Sequence, residues 1–160
     1  MADSIEILVD PSQAQAYIES KRGVLEDMLA ERMDLVMGMF ADRVKGNLSG
    51  AVLKTQTGKL LNTVMQTPTQ KSGTELYASV QAGGEDAPYG IYFEKGGTGY
   101  YDIVPVNARV LAFMSEGQRI FAKIVHHPPT PHLPWFGPEI DPATEEMNAQ
   151  LNAAFQEVLA

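Results

Sequence analysis

Three features of this 160-residue chain predict an α+β fold. Near the start, apolar residues recur at threes and fours over some thirty positions. Short alternating apolar runs follow in the middle, and a second helical pattern closes the chain. The expected architecture is a long N-terminal helix and a C-terminal helix packed on a small, mainly antiparallel twisted sheet, with a proline-rich extended arm. The length suits one domain, 1–160, with a core that needs no staples.

Ser4 to Val9 alternates as a short strand before Asp10-Pro11 breaks it. Pro11-Ser12 then opens the long helix, 14–45. Ile18, Leu25, Met28, Leu29, Leu35, Val36, Met39, Phe40 and Val44 mark its dry side, and Gly46-Asn47 reads as its C-cap. A helix of about thirty residues is ~45 Å long, more than a compact domain of this size spans, so part of it should find company elsewhere. Met28, Met33, Met37 and Met39 offer either an adaptable contact surface or ordinary core filling around a kink at Gly23 or Gly38. After a connector, Leu60, Leu61 and Val64 fit one helical turn or an extended segment equally well, and Pro68 is expected to end it.

The sheet region is expected over 74–125. Thr74 to Ala82 alternates Leu76, Ala78 and Val80 with polar residues. Tyr89 to Glu94 forms one or two helical turns, and Tyr101 to Pro105 a further strand. Glycines 96, 97 and 99 lack the Gly-Lys-Ser/Thr of a phosphate loop and serve instead where the chain re-enters the sheet. Arg109 to Met114 and Arg119 to Val125 make a β-hairpin about Ser115-Glu116-Gly117-Gln118.

Prolines 128, 129, 131, 134 and 138 then forbid ladder and helix alike. The outcome is a stiff arm, 126–140, carrying Leu133, Trp135 and Phe136. With Phe113 and Phe121 of the hairpin these are the candidate interaction residues. Such rings anchor either the protein's own core, which is the usual place for Trp and Phe, or a neighbouring molecule. Asp141-Pro142 starts the C-terminal helix, 141–160, with Asp141 as N-cap and Met147, Leu151, Ala154, Phe155, Val158 and Leu159 as its apolar stripe, expected to pack across the sheet.

The composition narrows the function. Cysteine is absent, which removes disulfides and thiolate metal sites, and nothing argues for secretion. Twelve basic residues against twenty acidic give a net charge of −8, which disfavours general phosphate neutralisation. The longest apolar run is far short of the ~20 residues of a membrane span, and the acidic N-terminus is not a signal peptide.

No nucleophile elbow is present. His126, His127 and His132 cluster, but adjacent residues of an extended chain face opposite ways, so they should not converge on one ion. Glu94 is a lone carboxylate, better suited to pairing with a base or capping a turn than to acid–base chemistry. No catalytic residue, cofactor site or metal site is assigned.

Four stretches, taken in order, resemble the HK97 gp10-like family of tailed-phage neck and minor tail proteins, also called tail-completion or tail-component proteins. Leu48 to Val64 (LSGAVLKTQTGKLLNTV) is similar to a Thr-Gly-x-Leu-x-x-Ser pattern after a long N-terminal helix. Pro88 to Pro105 (PYGIYFEKGGTGYYDIVP) is similar to a Tyr-Ala-x-Tyr-x-Glu-x-Gly helix and an Ile-x-Pro strand. Val110 to Pro131 resembles a hairpin ending in Val-x-His-Pro-Gly, and Leu133 to Ile140 (LPWFGPEI) a Pro-Phe-Leu-x-Pro-Ala segment before a closing helix. Pro129 stands where glycine is usual, and Asn62-Thr63 replaces basic and serine residues.

The resemblance implies a non-enzymatic virion part, assembled in the host cytoplasm and placed in the neck or tail. Its partners would be other copies of itself in a ring of six, neighbouring neck and tail proteins, and DNA that passes without specific binding. A tail terminator or head-closure protein is the alternative within that class, and a small metal-dependent hydrolase using the three histidines is the alternative outside it.

Overall fold

The structure, a computed structural model, describes residues 11–54, 57–97 and 99–159. In chain order the elements are α1 (Ser12–Gly46), α2 (Lys59–Asn62), β1 (Met65–Ser72), β2 (Glu75–Gln81), α3 (Gly90–Lys95), β3 (Tyr101–Ile103), β4 (Leu111–Ser115), β5 (Gln118–Ala122), β6 (Val125–His127) and α4 (Ile140–Leu159). The α+β class and the two terminal helices stand as expected. The strand expected at Ser4 to Val9 lies outside the described residues. No described helix is long and apolar enough to cross a membrane.

The chain gathers into two compact units, each discontinuous in sequence. The first holds described residues 11–41, 66–80 and 141–159; the second holds 42–65 and 81–140.

In the first unit α1 begins where Pro11 puts it, with the Gln15 amide donating to the Pro11 carbonyl at 2.9 Å. The helix runs unbroken through Gly23 and Gly38. Its buried residues here are Val36, Phe40 and Ala41. The apolar stripe is not dry throughout: Ile18, Leu35 and Met39 are exposed, and every residue from Ser12 to Ser20 faces solvent. The other three methionines are half-buried.

α4 lies antiparallel beside α1. Lys21 donates to the Val158 carbonyl at 3.0 Å and Arg32 to Gln150 at 3.2 Å, while Ala154 and Val158 are buried. Asp141 is not its N-cap. A 3₁₀ turn, Gly137–Glu139, feeds straight into α4, which places Asp141 and Pro142 inside the first helical turn. Proline is tolerated there because early helical N–H groups have no partner to lose.

β1 corrects a second expectation, since Pro68 sits within a strand rather than ending a segment. Among the described residues β1 pairs with β2 alone; the Thr69 amide turns away from β2 to Asp34, so the donor missing at Pro68 is taken from the ladder itself, and the strand continues through it. Asp34 of α1 secures the next residue: its carboxylate accepts both the amide and the hydroxyl of Thr69, at 2.7 and 2.8 Å. The two-residue link Gly73-Thr74 makes the β1–β2 pair antiparallel.

The second unit opens with the last turn of α1. Gly46 keeps right-handed helical angles and so is not the C-cap; a π-helical turn, Asn47–Ala51, follows, and the left-handed angle falls at Gly50 (φ 131°). Leu60 and Leu61 fall in one helical turn, α2, which starts after Gly58 and ends at Asn62, and Val64 lies just beyond it; Leu60 and Val64 are buried.

Instead of one sheet, the described residues form three two-stranded ladders: β1–β2, β3–β6 and β4–β5. The run Arg119 to Val125 is therefore not one strand. β5 stops at Ala122, the chain turns over Lys123-Ile124, and β6 takes β3 as partner with Tyr101 opposite His127 and Ile103 opposite Val125. His126 and His127 thus belong to a strand, and the arm proper begins at Pro128.

Candidate interaction surface

Within the second unit the proline arm is fastened along α3. The Gly97 amide donates to the Thr130 carbonyl at 3.3 Å, and Leu133 donates to the Phe93 carbonyl at 2.9 Å. Trp135 is 4% exposed, with its indole N–H on the Gly90 carbonyl at 3.1 Å. Its ring therefore docks in its own unit, as is usual for tryptophan. Leu133 and Phe136 are half-buried, and Phe136 meets the Trp135 ring edge-on at 5.7 Å.

Glu94 closes the fastening. Its carboxylate accepts the consecutive amides of Trp135, Phe136 and Gly137 at 2.8, 3.0 and 2.8 Å. These are the donors that a helix start leaves without partners, so a side chain 41 to 43 residues away does the work of a local cap. The turn-capping role read from sequence is the one that Glu94 fills. A Cβ at Gly137 would lie 2.7 Å from the Glu94 carboxylate, so a side chain there would push that carboxylate from its present place. Asn47 adds two bonds, to the Trp135 carbonyl at 3.0 Å and to Glu139 at 2.8 Å, and Arg43 pairs with Glu139 at 3.2 Å.

The β4–β5 hairpin is the opposite case. Its turn, Glu116-Gly117, has positive φ at both residues (49° and 79°), which matches the right-handed twist of the strands. The register sets Ala112 opposite Phe121, Phe113 opposite Ile120 and Met114 opposite Arg119. Phe113 and Phe121 therefore stand on opposite faces. They are 40% and 60% exposed, Met114 is 65% exposed, and Arg119 lies over the Phe121 ring at 5.4 Å. A two-stranded ribbon is marginal in water by itself, and one bearing large apolar side chains on both faces is the candidate contact surface of this unit.

The histidines do not converge. His126 and His127 take opposite faces of β6; the His126 ring bonds the exposed Asp102, and His127 stacks on Tyr101 at 4.7 Å. His132 lies beside Gly96. Among the described residues no three His, Asp or Glu side chains gather closely enough to hold a metal ion. One further feature of this unit had no signal in the residue pattern, an apolar cleft of about 570 Å³ lined by Leu48, Leu60, Tyr89 and Phe93 with Lys54 and Lys59 beside them.

No protein-family model, curated protein or solved structure matches the chain.

Proposed function

We propose that this chain is a structural subunit of a tailed-phage virion, a neck or tail-completion component that assembles into a ring at the head–tail junction. The exposed β4–β5 hairpin carries this reading. It presents aromatic side chains on two faces from a unit whose arm is already held by Glu94, Asn47 and the Trp135 indole. A surface of this kind is suited to gripping protein. The order of motifs along the sequence supplies the virion setting, and a ring of six follows by analogy with the symmetry of a tail. The net charge of −8 favours a passage whose wall repels phosphate, so DNA slides through without being held.

Mass measurement of the purified protein and of neck complexes, with electron microscopy of particles lacking the gene product, tests the proposal. Rings in solution or in the neck, together with unjoined full heads and finished tails in its absence, are expected. Overlong or missing tails would move the assignment to a terminator or initiation role. A chain that is monomeric both free and in particles, or one that binds DNA tightly and salt-sensitively, would refute it.

A further inference from the structure

We propose that the Phe121 face of the hairpin docks onto the outer side of α4 of a second copy of this chain, so that each subunit holds the next head to tail. The inference rests on the ring reading above and names its contact.

Charge selects the occupant. The segment from Arg109 to Lys123 carries three bases, Arg109, Arg119 and Lys123, against one acid, Glu116, in a chain that is otherwise strongly acidic. α4 is the reverse, with Asp141, Glu145, Glu146 and Glu157 and no Lys or Arg. Pairing hairpin with hairpin would bring like charges together, and basic residues along a free strand edge discourage that pairing. Hairpin against α4 brings opposite charges together.

The shapes agree as well. On α4, Glu145, Asn148, Ala149, Asn152, Phe155 and Gln156 are all exposed and fall on one stripe at helical spacing. From Glu145 to Gln156 that stripe is about 16 Å long, and β5 is about 14 Å, so the strand fits within it. Ala149 leaves room for an aromatic ring on the stripe between Glu145 and Phe155. Glu145 lies toward the other end, where Arg119, already extended across the Phe121 ring, supplies its counter-charge. Because the two surfaces differ, the contact is heterologous and repeats from copy to copy until it closes.

Two experiments test this on the full chain. The first uses the absence of native cysteine. Single variants Phe121→Cys and Phe155→Cys are mixed and treated with a short bis-maleimide. Linked pairs are expected from the mixture and not from either variant alone. Pairs from Phe121→Cys alone would show hairpin-to-hairpin contact and overturn the inference, as would no linkage from thiols shown to be reactive.

The second experiment is a charge exchange. Arg119→Glu should weaken self-association at least about tenfold, and Arg119→Glu combined with Glu145→Arg should restore most of it, with Trp135 emission unchanged as the control for folding. Unaltered association in folded Arg119→Glu, or no recovery in the double variant, would overturn the docking surface. Rings that persist through both substitutions remove this contact and leave the ring reading intact. A wild-type chain that is monomeric at every concentration and in particles removes both.

Discussion

Glu94 holds the backbone amide of Trp135 at 2.8 Å, at the point where the proline arm turns into the last helix. Prolines make the segment stiff but cannot place it, since they take donors away from the backbone. At the end of the arm placement comes from a carboxylate that receives three successive N–H groups, beside Gly137, and along its length from the bonds to α3.

Replacing Glu94 by glutamine preserves the shape but turns an amide donor toward backbone donors. Hydrogen bonds to a charged acceptor contribute more than neutral ones, so Glu94→Gln should destabilise the second unit by about 1–3 kcal/mol. A lowered urea midpoint with unchanged slope, followed by Trp135 emission, is the expected reading. An unchanged midpoint would mean that the arm is held by its other bonds.

Trp135 fills space and satisfies the Gly90 carbonyl together, and two substitutions separate these roles. Trp135→Phe keeps most of the ring but removes the donor, with an expected loss of about 1–3 kcal/mol. Trp135→Ala also empties the site and should lose about 3–5 kcal/mol. Circular dichroism melts give both values. Equal losses for the two variants would assign the whole effect to the hydrogen bond.

What the sequence made legible follows from the range of the forces involved. The hairpin turn and the start of α1 are set by local chemistry, glycine at positive φ and proline in a first helical turn, and both were readable. β1 was not readable, because Pro68 argues against a strand unless Asp34, distant in sequence, secures its neighbour. The division of one expected sheet into three ladders was equally hidden: which partner a three-residue strand such as β6 takes is decided by packing and not by its own pattern. For the candidate surface, Phe113 and Phe121 could be named from sequence, but their opposite facing depends on a register that only the fold supplies. Gly90 and Gly137 were the available signals for the arm, since both mark close approaches, Gly90 to Leu60 and Trp135 and Gly137 to Glu94.

Asp34 should matter more than an ordinary helix-surface acid. Asp34→Ala leaves the Thr69 amide and hydroxyl without their acceptor, and the expected destabilisation is about 1–3 kcal/mol. Hydrogen exchange should be faster at Thr69 than in the wild type, with β5 unaffected. Equal protection in both proteins would show that water replaces the carboxylate without loss.

Glu116 adopts φ 49°, a left-handed angle that asparagine accepts more readily than glutamate. Glu116→Asn should therefore stabilise the hairpin by a few tenths to about 1 kcal/mol, seen as slower amide exchange at Phe113 and Ile120. Removing an acid also makes the hairpin more basic, so association through it should strengthen rather than weaken. A loss of exchange protection would show that Glu116 makes a contact more valuable than its backbone strain.

In the first unit, Glu26 supplies a pH dependence of determinate sign. Its hydrogen bond from Lys71 of β1, and then that from Arg22 one helical turn away, hold its carboxyl below the ordinary value of 4.5. A depressed carboxyl stabilises the fold fully at pH above the unfolded value and ceases to do so as pH falls through the folded one. Wild type should therefore exceed Glu26→Gln in urea midpoint near neutral pH, and the gap should begin to narrow as pH drops toward 4.5 and close below the depressed value. The Lys71 and Arg22 side chains are more than half exposed, so about 1 M salt should shrink the neutral-pH gap. A gap that persists in strong acid would assign the stabilisation to packing of the side chain instead of to its charge.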